Sequence, residues 1–137
     1  GKYYMKQITH EWFQAAHDDI LIIEEIIDKE FLSHFVAFHA QQAIEKSFKA
    51  VLEESTDNVP KVHQLERLSS LVSFCLDIEF DEENDIFEEL DKLYIDARYP
   101  GENLDFCHKG NPPLMMRRSS MSLLMGFTSF CKTVSRN

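Results

Sequence analysis

The stretch 40–51 places its polar and apolar side chains on opposite faces of an α-helix. At a spacing of about 100° per residue, one face carries four polar residues, Gln42, Glu45, Lys46 and Lys49. The other face carries small and apolar residues, Ala40, Ala43, Ile44, Ser47 and Val51. A helix with this division buries one side. Its polar side predicts either a solvated surface helix or one wall of a polar cleft.

Apolar residues recur at helical spacing along the chain, and most glycines and prolines fall between these segments. The pattern predicts helices over about 9–29, 33–54, 62–76 and 82–98, with a fifth after 111–113. No segment alternates as a strand would. We therefore predict an all-α fold, an antiparallel up-and-down helical bundle of four to five helices, in a single domain spanning 1–137.

The last predicted helix is apolar on two sides. Met121, Leu124, Met125 and Cys131 share one face, and Leu123, Phe127, Phe130 and Val134 share nearly the opposite one. Two apolar faces need two apolar partners, because monomers rarely expose large apolar patches. The two interpretations are burial in one large core, or contact with the bundle on one side and with a second copy of the chain on the other.

Composition excludes several classes of function. The net charge of −10 argues against sequence-independent binding to DNA, which depends on lysine and arginine neutralising phosphates. The three cysteines have no paired spacing, and no apolar run reaches the roughly 20 residues of a membrane span. The sequence also lacks a leader pattern, a glycine-rich phosphate loop and a metal-binding motif. We expect a cytoplasmic protein that needs no membrane, metal or cofactor.

Four segments together resemble the HEPN domain family. They are Trp12 with Ala15-Ala16-His17-Asp18-Asp19, then Gln41-Gln42-Ala43-Ile44-Glu45-Lys46-Ser47-Phe48-Lys49-Ala50, then His63-Gln64-Leu65, and finally Leu93-Tyr94-Ile95-Asp96-Ala97-Arg98-Tyr99-Pro100. The resemblance implies a bundle of four or five helices, usually a homodimer, often encoded beside a minimal nucleotidyltransferase. Members are similar to the helical domain that completes the substrate site of aminoglycoside nucleotidyltransferases, and some are ribonuclease toxins of toxin–antitoxin pairs. The function implied here is an accessory module that binds a nucleotide or other substrate.

Seven residues are the predicted ligand-binding set: Gln42, Glu45, Lys46, Lys49, His63, Arg98 and Tyr99. A lysine of the set can meet a phosphate as a point charge, and an amide can read a base or sugar edge. Arg98 offers a bidentate guanidinium and Tyr99 a stacking face. Each also has a purely structural explanation, such as an exposed Glu–Lys helix pair or a cation at a helix end. Phe35 and Phe38 share the polar face, which favours a partly covered surface.

Two alternatives are a metal-independent ribonuclease and a purely structural dimerisation module. The ribonuclease branch of the family is marked by an arginine followed five to seven positions later by a histidine. After Arg98 those positions hold Asn103, Leu104 and Asp105, and the next histidine is His108. We therefore predict no catalytic residues. Asp19 lies close to the apolar stripe of the first helix, and we expect it to pair with an inward-facing lysine or arginine.

Overall fold

The computed structural model describes residues 4–98 and Gly126, and within them every regular element is helical. The elements are α1 (Gln7–Ile26), a 3-10 turn (Glu30–Leu32), α2 (Ser33–Ser55), α3 (Leu65–Leu76) and α4 (Asn84–Arg98). The predicted all-α bundle is confirmed. Each of the four predicted helices is present, with ends within about three residues of those expected. The predicted fifth helix falls outside the described residues.

Helix α2 is the centre of the bundle, with α1, α3 and α4 packed around it. Helix α1 runs antiparallel to it, because Trp12 lies beside Lys49 and Asp19 lies beside His39. Helix α4 is also antiparallel to α2. Its Phe87 packs on Phe48 with ring centroids 5.5 Å apart, and two turns later in α4 Tyr94 stacks on Phe38 with ring centroids 5.4 Å apart.

The core forms where the apolar stripes of the four helices meet around α2. Its buried members include Ile20, Ile23, Ile44, Phe48, Leu65, Leu68, Val72, Phe87, Leu90 and Leu93. The helical spacing of apolar residues in the sequence predicts seven of these as core residues: Ile20, Ile23, Leu65, Leu68, Val72, Leu90 and Leu93. The same spacing does not single out Phe13 or Phe87, which are also buried. Three rings, those of Phe48, Phe80 and Phe87, meet edge to face, a geometry that adds about 0.5–1.5 kcal/mol per pair to simple burial.

The connection between α2 and α3 returns along α2, so that α3 begins beside the middle of α2. Two contacts hold this start: Gln41 Nε2 donates to the carbonyl oxygen of His63 at 2.9 Å, and Asp91 of α4 accepts from the backbone N–H of Leu65 at 3.0 Å. Asp91 also accepts from the N–H of Glu66 at 3.4 Å. Asp91 therefore acts as the N-cap of α3 from another helix, since Gln64 at the cap position makes no capping hydrogen bond.

None of the helices described has both the length and the apolar character needed to cross a lipid bilayer.

Candidate functional site

A partly exposed strip of α2 lies between α1 and α4. Both neighbours pack on α2, but among the described residues they make few contacts with each other. The strip contains His39, Gln42 and Lys46, which are spaced at three and four residues and therefore share one side of the helix. We call this strip, together with the side chains that flank it from α1 and from the loop before α3, the α2 groove.

A buried carboxylate, Glu45, lies at the base of the groove. Its Oε1 is 3.2 Å from Lys49 Nζ and 2.6 Å from His63 Nδ1, and its Oε2 accepts from Gln42 Nε2 at 2.9 Å. The side chains of Glu45 and Lys49 are only 5% and 9% exposed. Trp12 of α1 covers Lys49, with the ammonium 5.6 Å from the ring centroid. This burial shows that the polar face of α2 is partly covered here and is not a plain solvated surface.

A second buried carboxylate, Asp19 of α1, binds the other side of the strip. Its Oδ1 is 2.8 Å from His39 Nδ1 and its Oδ2 is 2.7 Å from Lys46 Nζ. The predicted pairing of Asp19 with an inward-facing cation is thus confirmed. The groove holds two carboxylates, each bound to one lysine and one histidine, so their charges are largely balanced and their partners held in place.

Two glutamines connect the groove to α4. Gln41, fully buried, donates from Nε2 to the carbonyl oxygen of His63 and, at 3.4 Å, to Asp91 Oδ1. Its Oε1 accepts from Gln42 Nε2 at 2.8 Å. Burial raises the pKa of Asp91, and the hydrogen bonds from the two backbone N–H groups and from Gln41 act in the opposite direction. The same chain of contacts therefore fixes the start of α3 and the orientation of Gln42.

Five of the seven predicted site residues come together in the groove: Gln42, Glu45, Lys46, Lys49 and His63. His63 precedes α3 and is 65% exposed, as expected, yet its ring is held by Glu45. The side chain of Arg98 and all of Tyr99 lie outside the described residues, so their predicted role stays a prediction. Phe38 is half-buried against Tyr94, whereas Phe35 is exposed.

Sequence reasoning missed three contributors to the site, His39, Gln41 and Asp91. A signal existed for His39, because it lies three residues before Gln42 on the same strip. Gln41 lies at the border between the two faces of α2, and Asp91 is one of several carboxylates in an acidic stretch, so neither stands out locally. The described residues contain no group of three or more side chains arranged to hold a metal ion.

Three side chains of the α2 groove have polar atoms beyond those used in the hydrogen bonds described above. His63 presents Nε2, Gln42 presents its carbonyl oxygen, and Lys46 has ammonium hydrogens beyond the one given to Asp19.

The family model of the HEPN domain matches residues 9–109 of the chain. The chain belongs to the HEPN domain family. No curated protein and no solved structure matches this HEPN chain. The five groove residues predicted from the sequence all lie within the matched region.

Proposed function

We propose that this HEPN chain is an accessory module that binds a nucleotide, or a substrate carrying one, in the α2 groove. The observation that carries the proposal is the pair of buried carboxylates, each holding one lysine and one histidine. Buried charges that are well paired fix the groups they bind, and fixed groups lose little freedom when a ligand arrives. Lys46 supplies a cation for phosphate, while His63 and Gln42 supply polar atoms for the rest of the nucleotide.

Calorimetric titration with ATP, CTP, GTP and UTP at low salt tests this function. We expect weak, salt-sensitive binding, because the groove offers an ammonium group and no glycine loop of backbone donors. Lys46→Met should reduce the affinity for every nucleotide. Lys92→Met is the matched control, since Lys92 is a surface lysine of α4 paired only with Glu88 among the described residues. Equal affinities for wild type and Lys46→Met would show that Lys46 does not contact the ligand.

The partners of the module are a separately encoded minimal nucleotidyltransferase and a second copy of the chain. The first follows from the resemblance, in which small nucleotidyltransferases are encoded beside HEPN chains, sometimes as toxin–antitoxin pairs. Exposed apolar side chains support the second, among them Phe31, Leu71, Phe74 and Ile95. Light scattering after gel filtration should give a dimeric mass at tens of micromolar, and copurification should retain the nucleotidyltransferase. A monomeric mass would contradict the dimer.

Ribonuclease activity is the less favoured alternative. His63 lies at the level of Asp91, while Arg98 is seven residues further along α4, a rise of about 10 Å. Cleavage needs a base and a cation at one phosphate. We expect no cleavage of single-stranded or structured RNA by the purified chain in EDTA. Cleavage that disappears in both His63→Ala and Arg98→Ala would instead establish the ribonuclease.

A further inference from the structure

The last turns of α3 expose apolar side chains on the side turned away from the core. Leu71 is partly exposed, Phe74 is 90% exposed, and Ile78, just beyond the helix, is also exposed. The backbone N–H of Ile78 donates to the carbonyl oxygen of Ser73 at 3.3 Å, which holds Ile78 against the end of α3. Single exposed apolar residues are ordinary, but adjacent ones that include a ring almost wholly in water mark a contact surface. We call Leu71, Phe74 and Ile78 the α3 patch.

Carboxylates follow the α3 patch directly along the chain. Residues 77–89 connect α3 to α4 and form the first turns of α4, and they contain eight acidic residues and no lysine or arginine. Among the described residues, the only one of these eight with an ion-pair partner is Glu88, which is paired with Lys92. A partner for the α3 patch therefore has to bring apolar side chains together with positive charge. The α3 patch of a second copy is disfavoured, because it carries the same carboxylates.

The C-terminal segment 109–137 has the complementary composition. Its apolar residues fall on two faces of the predicted last helix, with Leu124 on one face and Phe127 on the other. The whole chain carries a net charge of −10 and this segment +5, which leaves −15 for the rest. Its charged residues are all basic: Lys109, Arg117, Arg118, Lys132 and Arg136. The segment thus combines the apolar side chains and the cations that the α3 patch and its acidic neighbours require.

We propose that the C-terminal segment packs on the α3 patch of the same chain, with its apolar side chains on Leu71 and Phe74 and its cations beside residues 77–89. The end of α3 lies beside the start of α4, and α4 has 15 residues, so the α3 patch is about 22 Å back from Arg98. Residues 99–111, which connect Arg98 to the predicted last helix, span up to about 43 Å. The segment can therefore reach the patch, and its tether gives it an effective concentration on the order of millimolar.

This contact assigns the two apolar faces of the predicted last helix. One face covers the α3 patch, and the other is left for a second copy of the chain. The contact is independent of nucleotide binding in the α2 groove, which lies on another side of α2.

Photo-cross-linking of the intact chain tests the contact. In Phe74→p-benzoylphenylalanine, illumination should join position 74 to a residue between 112 and 137 of the same molecule, and the product should migrate as a single chain on a denaturing gel. Mass spectrometry of its peptides identifies the residue reached. Leu21→p-benzoylphenylalanine is the control, because Leu21 is an exposed residue of α1, and α1 packs on α2 away from α3; it should give no such product.

Three results would overturn the proposal: no product from position 74, a product that joins only two chains, or equal yields from positions 74 and 21. A product that joins two chains would instead assign the α3 patch to the C-terminal segment of a second copy.

Charge reversal tests the part played by residues 77–89. With the cross-linker at position 74, Arg117→Glu combined with Arg118→Glu should lower the yield severalfold at low salt, because two attractive charges become repulsive. Lys29→Glu combined with Lys61→Glu makes the same change in net charge elsewhere and should leave the yield unchanged. Equal yields from the two double variants would refute the charge complementarity on which the contact depends.

Discussion

The burial of Glu45 makes its replacement by glutamine a strong test of the site. In Glu45→Gln the shape is kept, but Lys49 and His63 lose the carboxylate on which their N–H groups depend. The Lys49 ammonium remains beneath Trp12, where water cannot replace the lost charge. Removing one partner of a buried ion pair typically costs 3–5 kcal/mol. We expect a loss of about 3 kcal/mol in the free energy of unfolding, because the amide retains part of the hydrogen bonding.

The chain contains its own control for this experiment. Glu88 and Lys92 of α4 have the same spacing and order as Glu45 and Lys49, and their oxygen and nitrogen are 3.0 Å apart, but their side chains are 58% and 70% exposed. Solvated pairs of this kind contribute roughly 0.2–0.5 kcal/mol. Glu88→Gln should therefore change the free energy of unfolding by less than about 0.5 kcal/mol. The two substitutions are chemically identical and differ in burial.

Urea denaturation at pH 7 measures both variants, and an unchanged slope with a shifted midpoint would identify a change in stability alone. Lys49→Met should cost less than Glu45→Gln, because Glu45 keeps two donors, Gln42 and His63. The double variant should be less destabilised than the sum of the single ones by at least about 1 kcal/mol, since the stranded charge is then gone. Equal, small effects of Glu45→Gln and Glu88→Gln would refute the reasoning that the groove is built on a buried charge.

Substitutions at three further positions test the surrounding structure, each by urea denaturation. Asp91→Ala should cost about 1–2 kcal/mol by uncapping α3, whereas Asp91→Asn, which keeps an acceptor, should cost less. The pKa of Asp91 is raised on folding, so the folded chain keeps this proton to higher pH than the unfolded chain does. Ionisation of Asp91 therefore lowers the free energy of unfolding as the pH rises through its titration. Asp91→Asn should remove this decrease, and a pH profile of stability identical to that of the wild type would contradict the reasoning. Asp77→Gly should raise stability by up to about 1 kcal/mol, because Asp77 has φ 52° at the end of α3, and a loss of stability would contradict this. Asp19→Asn should cost about 1–3 kcal/mol by weakening the contacts to His39 and Lys46, and a neutral result would show that these contacts do not matter.

The sequence predicts the helices well because their apolar period and their glycine and proline boundaries are local properties. The start of α3 is a boundary that these local properties do not determine. A helix was expected from residue 62, but the first helical residue is Leu65. Its N–H is capped by Asp91, which lies 26 residues away in the chain. No pattern near residue 62 contains that information, so the boundary could be predicted only approximately.

The groove follows the same division between local and distant causes. Helical spacing alone puts Gln42, Glu45, Lys46 and Lys49 on one face, and that part of the site could be read from the sequence. Whether such a face is solvated depends on what lies over it, here Trp12 from α1 and His63 from the loop before α3.

The pairs 45/49 and 88/92 show why local pattern could not decide the question of burial. Both are Glu–Lys pairs four residues apart on long helices, and by sequence alone both are adequately explained as surface pairs. What distinguishes them is the position of their helices: α2 is surrounded by the other three, whereas α4 has a side that faces solvent. Asp19 could be predicted because it lay beside an apolar stripe, where a carboxylate needs a cation. A polar residue is therefore most informative when its own helix places it close to the core.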